Sequence, residues 1–158
     1  MIYNYQPRYL FEDQSRVYGS HVPSNDENEA SMLVKSKEFT DVIVLLEKEW
    51  GDLYKVAYEA KGINVLHCPI EDYGIPSDEE LHKLIPQILQ LAKTPKHKIL
   101  IHCQGGQGRT GLIAACALAS LKKISADEAI LNIRKCIPEA IETGHQRRCV
   151  ERFVKDNS

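Results

Sequence analysis

The chain has 158 residues, 43% of them hydrophobic and 27% charged, with a formal net charge of −2 at pH 7. That length suits one domain, residues 1–158, with a real core and no room for a second, and the near-neutral balance excludes a global bias toward nucleic acid or anionic membrane. Five cysteines, an odd number without a Cys-x-x-Cys pair, argue against a disulfide framework and a zinc site and fit a reducing compartment, cytoplasmic or nuclear.

No basic-then-apolar leader opens the chain, and the longest apolar run, Leu112 to Ala119, is too short to span a bilayer. Tyrosines at 3, 5, 9 and 18 punctuate residues 1 to 23, which read as edge strands, with Arg16 to Gly19 entering a turn at Ser20 to Pro23. Ser24 to Glu27 supplies a cap and early acids for a helix running to about Lys37, with Ala30, Met32 and Leu33 as its apolar face. Asp41 to Leu46 is a continuous apolar run suited to a central strand, Asp52 to Ala60 a helix ended by Gly62, and Ile63 to Leu66 the next strand. Strands alternating with helices predict an α/β domain: a central, mostly parallel sheet flanked by helices on both faces.

Pro69, Gly74 and Pro76 make Ile70 to Ile75 a loop just beyond a strand end, a place that catalytic groups favour. Ser77 to Glu80 is a capping box, and Leu81, Leu84, Ile85, Ile88 and Leu91 recur at helical spacing, with Pro86 expected to kink that helix. Lys98 to Ile101 has the β-branching of a buried strand and stops at His102-Cys103. A loop with glycines at 105, 106 and 108 follows at once, and Arg109-Thr110-Gly111 opens the apolar helix Leu112 to Leu121, where Cys116 reads as core. Ser125 to Glu128 is a second capping box, opening a helix with Ala129, Ile130, Ile133 and Ile137 on one side and ended by Pro138; the last helix opens at Thr143 and buries Val150, Phe153 and Val154.

The strand, glycine loop and helix around Cys103 form the chemically telling stretch. Such a loop turns successive N–H groups inward at a positive helix N-terminus, a nest for a phosphate held by Gln104, Gly105, Gly106, Gln107, Gly108 and Arg109. No Gly-Lys-Ser/Thr ending is present, which excludes a nucleotide-binding Walker loop. A thiol on the floor of such a nest is expected to ionise near neutral pH and act as nucleophile, and Arg109 offers a planar fork for two phosphoryl oxygens.

His102-Cys103-Gln104-Gly105-Gly106-Gln107-Gly108-Arg109-Thr110-Gly111 resembles the signature of the cysteine-dependent protein tyrosine phosphatase superfamily: His-Cys, five residues, Arg, then Ser or Thr. The likeness extends from about Arg16 to Phe153 and is to a compact dual-specificity-type enzyme, because the lysine-asparagine-arginine-tyrosine recognition loop of the large tyrosine-specific enzymes is absent. The mid-chain loop disfavours low-molecular-weight phosphatases and arsenate reductases. The resemblance implies a cysteinyl-phosphate mechanism without metal or cofactor. It places a general acid about thirty residues before the cysteine, where Asp72 stands with Glu71 as rival, although the family's usual tryptophan in that loop is missing. It implies that Thr110 eases departure of the Cys103 sulfur, that His102 supports the loop through a backbone hydrogen bond, and that Gln146 orients the hydrolytic water; Thr143 and Gln146 also read as a simple capping box. Cys68 reads as a small buried residue or as a redox partner of Cys103, and Arg147 and Arg148 as a solvated face or as added positive charge at the site. The substrate implied is a phosphoprotein, with phosphotyrosine ahead of phosphoserine and phosphothreonine. Phosphoinositides, RNA 5′-phosphates or a non-catalytic phosphopeptide-binding module are the alternatives, and the sequence leaves the oligomeric state open.

Overall fold

The computed structural model describes residues 7–11 and 16–158, so the tyrosines at 3 and 5 lie outside the described residues. The elements run β1 (Arg8–Tyr9), β2 (Val17–Ser20), α1 (Glu27–Ser36), β3 (Asp41–Val44), α2 (Lys48–Ala60), β4 (Asn64–His67), α3 (Asp78–Ala92), β5 (Ile99–His102), α4 (Gly108–Lys122), α5 (Ala126–Cys136) and α6 (Gly144–Asp156). The sheet order is β1-β2-β5-β3-β4. β2, β5, β3 and β4 are parallel and only β1 runs antiparallel, against β2.

Alternation along the strands sorts apolar side chains to two faces. Ile99 and Ile101 of β5 and Ile43 of β3 join a core with α3, α4, α5 and α6. Leu100, Val42 and Val44 join a second core under α1 and α2. Helices thus cover both faces, as the alternation of strand and helix signals predicts. The continuous apolarity of β3 and β5 follows from this double burial. α4 lies in the middle of the larger core, its residues buried from Gly108 through Ala119, and packs on α3, α5 and α6. It ends at Lys123 in the left-handed conformation, φ 55°.

Several expectations need correction. β2 is not an edge strand, because the short β1 covers its outer side. α1 buries Ala30, Ser31 and Val34, while Met32 is 61% exposed. α2 begins at Lys48 rather than Asp52, so Gly51 lies inside it. That glycine is required by packing: a Cβ there would run into the His67 imidazole at the end of β4. Ser125 makes only half a capping box, accepting the Glu128 N–H at 3.1 Å while its hydroxyl donates to the Glu128 carboxylate at 3.3 Å. Ser77 and Thr143 complete theirs, with Glu80 and Gln146. Pro86 sits on the exposed side of a helix that runs from Asp78 to Ala92.

Gly51→Ala should therefore destabilise the fold despite alanine's better helix propensity, by roughly 1–3 kcal/mol as overpacking against a ring held by its hydrogen bond to the Leu46 carbonyl. Denaturant unfolding measures this, and a stability equal to or above that of the native chain would show that His67 moves aside freely.

Candidate active site

The four parallel strands point their C-terminal ends to one pole of the sheet, and every predicted site residue but Gln146 lies at or just after a strand end on that side. β5 ends at His102, Cys103 is the next residue, and the loop reaches the first turn of α4 at Gly108. Gln107 occupies the N-cap position without a side-chain cap bond, which leaves the helix's leading N–H groups turned toward the loop. The loop is braced from behind by the Val22 N–H donating to the Gln104 carbonyl at 3.0 Å. Gly106 has φ 77°, and a Cβ there would strike the backbone of Ser20 and His21; only glycine fits on both counts.

Cys103 is 2% exposed, and its sulfur accepts the Gly106 N–H at 3.2 Å and the Thr110 hydroxyl at 3.0 Å. Both donors aim at the atom that would carry negative charge. His102, fully buried, places Nδ1 3.4 Å from the Cys103 carbonyl and Nε2 2.8 Å from the Tyr58 hydroxyl. A carbonyl can only accept, so Nδ1 carries the proton and Nε2 accepts from Tyr58. Burial pushes the imidazole down from 6.5 to about 4, which keeps it neutral.

Arg109 is 3% exposed. Its Nη1 donates to Glu47 Oε1 at 2.6 Å and to the Ile70 carbonyl at 2.9 Å, and Nη2 lies 3.5 Å from Asp72 Oδ1. Glu47 is the site neighbour that sequence reasoning missed. The signal for it is an acid at the junction where β3 gives way to α2, one residue before the helix and at the same pole as the phosphate loop. Asp72 also accepts the N–H of Tyr73 at 3.1 Å, and Tyr73 adopts φ 61° at the tip of the turn closed by Gly74 N–H on the Glu71 carbonyl at 2.8 Å. Of the two candidate acids, Asp72 faces the guanidinium; Glu71 stands exposed on the turn.

Gln146 completes the capping box and also reaches the loop of Asp72. Its Oε1 accepts the N–H groups of Glu142 (2.8 Å) and Thr143 (3.3 Å), which completes the capping, and its Nε2 donates to the Gly74 carbonyl at 3.2 Å, tying α6 to the loop of Asp72. Arg147 turns elsewhere, donating to Asp127 at 2.6 Å, and Arg148 is exposed beside Gly144. The Cys68 thiol is buried, and that burial pushes it up to about 11. Among the described residues no cluster of three or more His, Cys, Asp or Glu side chains could hold a metal ion, and no helix is long and apolar enough to cross a membrane.

Residues 15–150 match the family model described as "Swiss Army Knife protein, DSP-PTPase phosphatase domain". The chain is 34% identical over 111 residues to protein tyrosine phosphatase domain-containing protein 1 of Danio rerio, across 70% of this chain and 15% of that protein, so it spans only a small part of that relative's length. It is 35% identical over 107 residues to cyclin-dependent kinase inhibitor 3 of Rattus norvegicus, across 64% of this chain and 50% of that one. The crystal structure of Tk-PTP in the active form superposes with a TM-score of 0.79 at 31% identity, covering 92% of this chain and 95% of that one. The chain belongs to the cysteine-dependent protein tyrosine phosphatase superfamily, as a member of the compact dual-specificity type.

The neutral, buried His102 has a consequence for acid stability. Its folded value lies below its unfolded one, so between them the folded state binds fewer protons. Its contribution is intact above about pH 6.5 and is lost as the pH falls toward 4, amounting to about 3 kcal/mol. Denaturant midpoints across that window should fall less steeply for His102→Gln than for the native chain; equal slopes would show that His102 does not carry the acid sensitivity.

Proposed function

We infer that this phosphatase, with residues 1–158 as its catalytic domain, hydrolyses phosphate monoesters on proteins, phosphotyrosine foremost, through a cysteinyl-phosphate on Cys103. The observation that carries the reading is the pair of donors, Gly106 N–H and Thr110 hydroxyl, converging on the Cys103 sulfur. Sulfur attacks phosphorus, the S–P bond forms, and the bond to the leaving oxygen breaks as Asp72 hands that oxygen a proton. The Asp72 carboxylate then takes a proton from the water that attacks phosphorus, the S–P bond breaks, and the two donors receive the departing thiolate. The phosphoryl oxygens take the loop N–H groups and the Arg109 Nη2 that faces Asp72, while Glu47 and the Ile70 carbonyl hold Nη1 in place. An incoming phosphoryl dianion competes with Asp72 for the guanidinium, which frees the carboxyl to turn toward the leaving oxygen. Gln146, anchored to the same loop, is the group we assign to keeping Asp72 and the water in register.

The charge around the mouth favours a substrate with one phosphate. The five residues between Cys103 and Arg109 are uncharged, Glu47 and Asp72 contact the Arg109 guanidinium while about half exposed, and Glu71 stands exposed beside Asp72. A headgroup with several phosphates meets repulsion there that physiological salt screens only in part.

Cys103→Ser should abolish turnover of an aryl phosphate while leaving phosphate-analogue binding intact, and residual activity above a few per cent would refute the covalent route. Asp72→Asn should slow a poor alkyl leaving group by about 10²–10⁴-fold and an activated aryl phosphate far less. Equal losses would move the acid to Glu71 or elsewhere. For substrate class, kcat/KM is compared between a phosphotyrosine peptide and a soluble phosphoinositide at equal ionic strength. The peptide should win, and a preference of tenfold or more for the lipid would overturn the assignment.

A further inference from the structure

Six large hydrophobic side chains are exposed among the described residues, and four of them lie on two neighbouring segments: Trp50 (55%), Leu53 (53%) and Val56 (68%) along α2, and Tyr73 (59%) in the loop of Asp72. Glu47, at the N-cap position of α2, and Asp72 both contact the Arg109 guanidinium, so the start of α2 and the Asp72 loop meet over the same mouth. Trp50 lies within one helical turn of Glu47. Leu53 and Val56 continue from it in a stripe that leads away from the site over about 9 Å, at 1.5 Å per residue. The ion pairs Lys48–Asp52 and Lys55–Glu59 link helix positions four apart and leave these apolar side chains uncovered.

We propose that Trp50, Leu53 and Val56 are a docking stripe for apolar residues flanking the phosphorylated residue of a polypeptide substrate. The inference rests on the phosphoprotein reading above and adds what surrounds the phosphate. Continuity with the catalytic mouth argues for substrate over any other occupant. Size argues the same way: three side chains offer a few hundred Å², the scale of a recognition patch, against roughly 800 Å² that each partner buries in a stable complex. A second copy of the chain would need a larger face. An anionic lipid surface is disfavoured by Glu47, Glu49, Glu71 and Asp72, which stand exposed around the head of the stripe.

The test uses Trp50→Gln/Leu53→Gln/Val56→Gln, three exposed positions outside the catalytic machinery, with glutamine chosen as a good helix former. The native chain should turn over a phosphotyrosine peptide with leucine and valine flanks about tenfold faster in kcat/KM than one with serine flanks, mostly through KM. The triple variant should lose that difference while its rate on a small aryl phosphate stays within twofold of native. No preference in the native chain, or a preference that survives the triple substitution, overturns the stripe while leaving the phosphoprotein reading intact. Hydrolysis of the aryl phosphate with turnover of neither peptide overturns that reading, and the stripe with it. Native binding to phosphatidylcholine vesicles doped with phosphatidylserine that the triple variant loses assigns the stripe to a membrane and overturns the proposal.

Discussion

A guanidinium that is 3% exposed cannot remain unpaired, and the arrangement of the catalytic pole follows from how Arg109 is satisfied. The residue belongs to the first turn of α4, whose burial in the larger core fixes where the charge must lie. Its donors then find Glu47 from the β3–α2 junction and the Ile70 carbonyl and Asp72 from the segment after β4. Three stretches that are far apart in sequence are thereby gathered around one cation. Glu47 and Asp72 are each about half exposed, so each remains in contact with water while holding a buried partner. That asymmetry suits a site in which an anion must enter and share the same fork.

The loop of Asp72 is constrained from two directions. At one end the Ile70 carbonyl accepts from Arg109; at the other the Gly74 carbonyl accepts from Gln146 of α6. Between them Tyr73 adopts a left-handed φ of 61°, an uncommon choice for an aromatic residue. The last helix is thus tied to the loop of Asp72 by one side-chain bond. Its capping glutamine can serve there because each of its two amide ends has a separate task.

Much of this was legible in the sequence because the relevant signals are local. A strand that ends in His-Cys, a loop of glycines and a helix opening with Arg-Thr are consecutive residues, and their geometry follows from chain connectivity. The continuous apolarity of β3 and β5 announced a sheet covered on both faces. What could not be read depended on contacts across the chain. Gly51 resembles a helix breaker until the His67 ring is seen filling the space where its side chain would be. Met32 fits the apolar pattern of α1 but faces outward, because the buried arc is set by α2 and the sheet and selects Ala30, Ser31 and Val34. Glu47 has no motif at all; only the fold brings the acid at the N-cap position of α2, whose side chain makes no capping bond, to within 2.6 Å of Arg109.

The order of strands in the sheet also sets a timetable. β2, whose end supports the phosphate loop through Val22 and the backbone at Ser20 and His21, leaves the ribosome before its parallel partner β5, which is made some 80 residues later. At roughly 5–20 residues per second that interval is on the order of ten seconds. During it β2 has, among the described residues, the two-residue β1 as its native partner, and its other edge lies open. A growing chain therefore carries no nest for a phosphate until β5 and the loop after it have been made, and an interrupted product that stops short of β5 presents a bare strand edge, the kind of surface that protein quality control removes.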